Sequence, residues 1–142
     1  MRKLLLVLSL LVVFFVGTGM KSLKAQWITP LVSWSVNCVY QDDNTIYVVN
    51  LTIIDVCADP DEVVFTETKL IETTETDTFF DVDDVLCTID DHALCFRVVF
   101  TVQKRNKTTQ AIICSGQKIL PTKNCEGLMD LDGPPPTPVS LN

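Results

Sequence analysis

The chain has 142 residues, 11 basic and 18 acidic side chains, a formal net charge of −7 and six cysteines. That length holds one domain, a 47% hydrophobic content is too high for global disorder, and a negative field repels phosphate, which excludes nucleic acid as a partner. The even number of cysteines contains no Cys-x-x-Cys spacing, which excludes a zinc knuckle or a thioredoxin-like redox site and reads as three disulfides.

At the N-terminus, Arg2 and Lys3 precede an apolar run over residues 4–16. This is long enough for the core of an export signal but shorter than the roughly 20 residues of a membrane span. Residues 1–25 are therefore read as a signal peptide, cut after Ala25 to leave Gln26 first. A cut after Gly19 is the second choice, and an uncleaved anchor is the alternative. Cleavage removes Arg2, Lys3, Lys21 and Lys24 but no acidic residue, so seven basic side chains face 18 acidic ones and the mature charge is −11. No membrane insertion is expected after cleavage. All six cysteines, Cys38, Cys57, Cys87, Cys95, Cys114 and Cys125, lie in the mature part.

Residues 26–132 read as a single β-rich domain. Over 32–40, Val32, Trp34, Val36, Cys38 and Tyr40 alternate with more polar residues, the period of a strand with one buried face. The polar cluster 41–44 favours a turn, so the next strand is expected to return as a hairpin partner. Residues 45–57 form that strand, with Tyr47, Val49, Leu51, Ile53 and Cys57 inward. Pro60 and its flanking aspartates end it. Residues 62–72 read as a further strand, because their Thr and Val content disfavours a helix. Residues 73–77 connect, and 79–89 read as a short strand or irregular loop. After the acidic turn 90–92, residues 93–103 are the clearest strand, with Leu94, Phe96, Val98, Phe100 and Val102 on the core side. Another strand follows over 108–115, and residues 119–121 add a short edge. From Gly133 onward the proline run can form no ladder, so 133–142 are expected to be a disordered tail. The fold class is all-β: a small disulfide-stabilised antiparallel β-sandwich, with a small barrel or an α+β arrangement as alternatives.

Six cysteines allow 15 pairings. The assumed hairpin brings Cys38 to Cys57, the acidic turn brings Cys87 to Cys95, and Cys114 and Cys125 remain to tie the exit segment to the last strand.

Nucleophilic catalysis needs a base, and His92 is the chain's single histidine. A serine with His92 and Asp90 would be the hydrolase arrangement, but no nucleophile motif accompanies it, and His92 reads as an exposed turn residue. Asp77, Asp81, Asp83, Asp84, Asp90 and Asp91 offer oxygens of the kind calcium prefers, yet lack the glycine and closing glutamate of a calcium loop. They read as a solvated acidic face, so no metal, cofactor or catalytic residue is assigned. Asn50 and Asn106 each begin an Asn-x-Thr acceptor for N-linked glycan in an exported eukaryotic chain. Trp34, Tyr40 and Tyr47 belong to the core by their spacing, whereas Trp27, ahead of the first strand, is either a contact anchor or a lid. The expected function is that of a secreted disulfide-rich glycoprotein, an extracellular interaction module rather than an enzyme, contacting an extracellular or cell-surface protein. A small secreted hydrolase or a toxin-like inhibitory effector is the alternative.

Overall fold

The computed structural model describes residues 24–39, 43–87 and 92–142. These contain nine strands and one short helix: β1 (Lys24–Ile28), β2 (Pro30–Val36), β3 (Thr45–Asp55), β4 (Glu62–Glu72), β5 (Asp77–Phe79), β6 (Val82–Cys87), β7 (Phe96–Asn106), β8 (Ile112–Ile119), α1 (Cys125–Met129) and β9 (Gly133–Leu141). The expected signal peptide lies outside the described residues except for Lys24 and Ala25, with which β1 opens.

The strands form a four-stranded antiparallel sheet in the order β4-β3-β7-β8, a three-stranded sheet β5-β2-β9, and a two-stranded ribbon β1-β6. Alternation along β3 and β7 sends Val49, Leu51 and Ile53 to the same face as Val98, Phe100 and Val102. The register sets Val49 opposite Val102, Leu51 opposite Phe100 and Ile53 opposite Val98, so each core pair is also a cross-strand pair. Val32, Trp34, Val139 and Leu141 of the three-stranded sheet and Val82 and Val85 of the ribbon complete one cluster with them. Burying each such side chain stabilises the fold by about 1.5–3 kcal/mol before entropy is counted. The layers meet where Phe80 and Phe100 lie 6.4 Å apart and where Trp34 meets Tyr47 edge to face at 5.2 Å. Burial raises the Tyr47 pKa. The nearby indole N–H opposes that shift, although the buried Trp34 Nε1 makes no hydrogen bond of good geometry.

One side of the sandwich is closed. β9 runs parallel to β2, and its end reaches across to β8, where Asn142 and Ser115 exchange backbone hydrogen bonds at 3.3 and 3.4 Å. Gly116 permits this approach, because any Cβ there would overlap the Ser140 carbonyl. The helix α1 starts at Asn124, whose Oδ1 accepts from the Gly127 N–H at 2.8 Å, and Leu128 is buried beneath it. Beyond α1, Asp132 accepts hydrogen bonds from the Thr29 N–H at 2.8 Å and hydroxyl at 2.5 Å, latching the start of β9 to the β1–β2 corner.

The sandwich is present, and the strands expected at 45–57, 62–72 and 93–103 are found at 45–55, 62–72 and 96–106, with Cys57 exposed past the end of its strand rather than inward; four larger expectations need correction. β2 is not the hairpin partner of β3; it belongs to the opposite sheet, and past Val36 the chain bonds to β9 through the Asn37 N–H and Leu141 carbonyl. Leu94 is not in the core, because β7 begins at Phe96 and Leu94 is 59% exposed. Residues 133–142 are an ordered strand rather than a tail: proline is tolerated at a sheet edge, and Val139 and Leu141 fill the core.

The disulfide pairing is the fourth. The bonds are Cys38–Cys114, Cys57–Cys95 and Cys87–Cys125. With β3 paired to β7, the residue pair Asp55 and Phe96 places Cys57 beside Cys95 just past the strand ends. With β2 in the other sheet, Cys38 reaches β8 and Cys87 reaches α1.

Candidate functional site

The end of the sandwich around Cys57–Cys95 gathers several exposed loop residues on segments held by a disulfide and hydrogen bonds. β3 stops at Asp55, whose Oδ1 accepts from the N–H groups of Cys57 at 2.8 Å and Ala58 at 3.2 Å. This turns the chain out of the sheet. The next segment, 56–61, contains a cis Asp59–Pro60 bond and returns into β4. Opposite it, the segment before β7 is held by the Cys57–Cys95 disulfide and by the Val56 N–H bonding the Cys95 carbonyl at 2.8 Å. Arg97 and Asp61 lie 3.7 Å apart across the same end, a half-exposed pair of small energetic weight.

On this braced end Leu94 faces solvent, flanked by the exposed His92 and Ala93. Val63, 55% exposed, sits opposite Ile54, which also pairs with Arg97. An apolar side chain held out on a segment fixed by a covalent bond and a backbone hydrogen bond is already ordered for contact. Reading Leu94 as a core residue hid this; the Asp-Asp-His run before it and the cysteine after it are the signals that the strand had not yet begun.

The remaining candidate residues are scattered. His92 is exposed, and Asp90 lies outside the described residues. Asp77, Asp81 and Asp83 are exposed, and Asp91 lies outside the described residues, as does Tyr40. Among the described residues one acidic and cysteine group, Asp55 with Cys57 and Cys95, brings its side-chain atoms within 4.8 Å of one another. Its two sulfurs are bonded to each other and its carboxylate caps the turn, so it offers no ligand set for a metal. Trp27 is 73% exposed on β1, away from the buried Trp34.

The two glycan acceptors differ in how their amides are used. Asn50 sits mid-sheet on the outer face of β3. Its Nδ2 donates to the Glu67 carbonyl at 3.1 Å and to the hydroxyls of Thr68 at 2.9 Å and Thr66 at 3.4 Å. Asn106 ends β7, and its Oδ1 accepts from the N–H groups of Thr108 and Thr109, both at 2.9 Å, shaping the turn into β8.

No protein-family model, curated protein or solved structure matches this chain. Among the described residues no helix is long and apolar enough to cross a membrane.

Proposed function

We propose that the chain is a secreted, disulfide-rich glycoprotein that binds an extracellular or cell-surface protein through the end braced by Cys57–Cys95. The observation that carries this reading is Leu94, exposed on a segment held rigid beside that disulfide. Apolar anchors surrounded by polar residues supply most of the energy of protein contacts, and holding them in place beforehand lowers the entropy lost on binding. Three disulfides in a chain of this size persist in an oxidising compartment, which supports export.

Export with cleavage after Ala25 shortens β1 by two residues, Lys24 and Ala25, which pair with Cys87 and Leu86; a cut after Gly19 retains both. N-terminal sequencing of secreted protein distinguishes the two.

The binding reading is tested by screening the labelled, oxidised protein against displayed extracellular domains. Leu94→Asp should abolish any specific binding found, while Thr109→Arg, at the opposite end of the β3–β7 pair, should leave it intact. Equal binding by the Leu94→Asp protein, or no specific binding in the screen, would overturn the proposal.

A further inference from the structure

β4 is the free edge of the four-stranded sheet: β3 lies on one side, and among the described residues no strand pairs with the other. It runs for 11 residues without a proline and carries one bulge at Val64, near its start. The other long edges are blunted. β8 is met by the end of β9 through Ser115 and Asn142, and β9 carries prolines at 134, 135, 136 and 138, which have no N–H to offer. An open, regular edge is a template for another strand.

Its backbone already points the right groups outward. The Glu67 carbonyl accepts from Asn50 Nδ2 on β3 at 3.1 Å, so the backbone groups of Glu67 turn towards β3. In an antiparallel ladder the neighbouring residues then direct both their N–H and C=O away, which leaves Thr66, Thr68 and Leu70 facing the free side. Thr68 is therefore suited to be the central hydrogen-bonded residue of a pair.

Side chains choose the partner. Phe65, Glu67, Lys69 and Ile71 share the half-buried face of β4, while Thr66, Thr68 and Leu70, the last 67% exposed, share the outer one. Lys69 is fixed in place: its Nζ donates to the Phe79 carbonyl at 2.7 Å, sits 4.7 Å over the Phe79 ring and lies 3.8 Å from Glu67 Oε1 of its own strand, so pairing two copies would join two such ion pairs into one alternating cluster. Charges on an edge strand ordinarily discourage pairing. Here they select one register. When an identical strand is laid antiparallel about a two-fold axis at Thr68, Glu67 meets Lys69 of the second copy, twice by symmetry. Phe65 meets Ile71, and Thr66 meets Leu70. Moving the axis to Glu67 sets that carboxylate against its own copy and Glu62 against Glu72. Moving it to Lys69 sets two ammonium groups together.

We propose that the protein forms a two-fold homodimer by antiparallel pairing of β4 with β4 of a second copy, centred on Thr68, joining two four-stranded sheets into one. The pairing is centred on Thr68 and shares with the Leu94 end only the start of β4 near Val63, so it stands or falls separately from the binding function.

Sedimentation velocity of the intact oxidised protein across a concentration series should show a reversible monomer–dimer equilibrium. Glu67→Lys places like charges at both Glu67–Lys69 positions and should weaken the dimer by about tenfold or more. The exchange Glu67→Lys with Lys69→Glu restores opposite charges and should recover it. Thr68→Cys in the otherwise native chain should be joined to its copy by a short bifunctional thiol reagent, since directly opposed hydrogen-bonded residues have Cα atoms only about 5.5 Å apart. A protein that stays monomeric throughout, a dimer insensitive to Glu67→Lys, or a Thr68→Cys protein that does not crosslink would overturn the proposal.

Discussion

Gly116 of β8 lies so close beneath the Ser140 carbonyl of β9 that any side chain at 116 must displace β9. The displacement would break the Ser115–Asn142 backbone pair and lift Val139 and Leu141 from the core. Gly116→Val should therefore destabilise the domain by about 1–3 kcal/mol, the range for overpacking a close contact. Chemical denaturation checks this: a midpoint unchanged from wild type would mean that β9 accommodates the side chain.

Peptide mapping without reduction should recover Cys38 linked to Cys114, Cys57 to Cys95 and Cys87 to Cys125. The bonds close sequence separations of 76, 38 and 38 residues. Removing the first as a Ser pair should cost about 0.6 kcal/mol more than removing either of the others, because loop-closure entropy grows with the logarithm of length. Each removal should cost about 2–4 kcal/mol. Equal losses would point to native contacts rather than chain entropy as the source.

Acid sensitivity should run partly through Asp132. The Thr29 hydroxyl and N–H hold its carboxyl below the ordinary value of 3.8. A depressed folded-state pKa means that the latch contributes fully above the unfolded-state value and is lost as pH falls through the lower folded one. Asp132→Asn should flatten the acid limb of stability below about pH 4. Denaturant midpoints measured against pH for both proteins provide the comparison, and parallel acid limbs would count against the latch.

Glycan should be found at Asn106 and not at Asn50. Attachment uses Nδ2, the atom through which Asn50 holds β4 in the middle of the sheet, whereas Asn106 lies at the end of β7 beside the exposed turn residues 107–110. Glycopeptide mass spectrometry decides this, and full occupancy of Asn50 would show that the outer face yields those bonds. A bare Asn50 also keeps the Thr66 and Thr68 side of β4 clear.

The strands that were legible in the sequence are those whose pattern is local. Alternation over β3, β4 and β7 identifies each strand and, for β3 and β7, the face that is buried, because both are consequences of a two-residue period. Partnership is not local. Val32 and Trp34 would alternate identically in a hairpin with β3 or in the opposite sheet, and nothing in residues 41–44 distinguishes them; the three cysteine pairs inherited that ambiguity. The prolines of β9 outweighed Val139 and Leu141, whose spacing was the available sign of an inward face. In the candidate site, the sequence marks His92, Leu94 and Cys95 as neighbours, but the bond that makes Leu94 rigid depends on β3 lying against β7.

The latch between Thr29 and Asp132 spans 103 residues, and β2 on one side of it finds its parallel partner only in β9 on the other. At a synthesis rate of about 5–20 residues per second, β2 waits roughly 5–20 s before its mate exists. The parallel half of the three-stranded sheet, which Val139 and Leu141 complete, cannot form before that segment has been made. The proline-rich segment is thus the last piece the three-stranded sheet needs, and a chain ending before residue 133 lacks the strand that completes it.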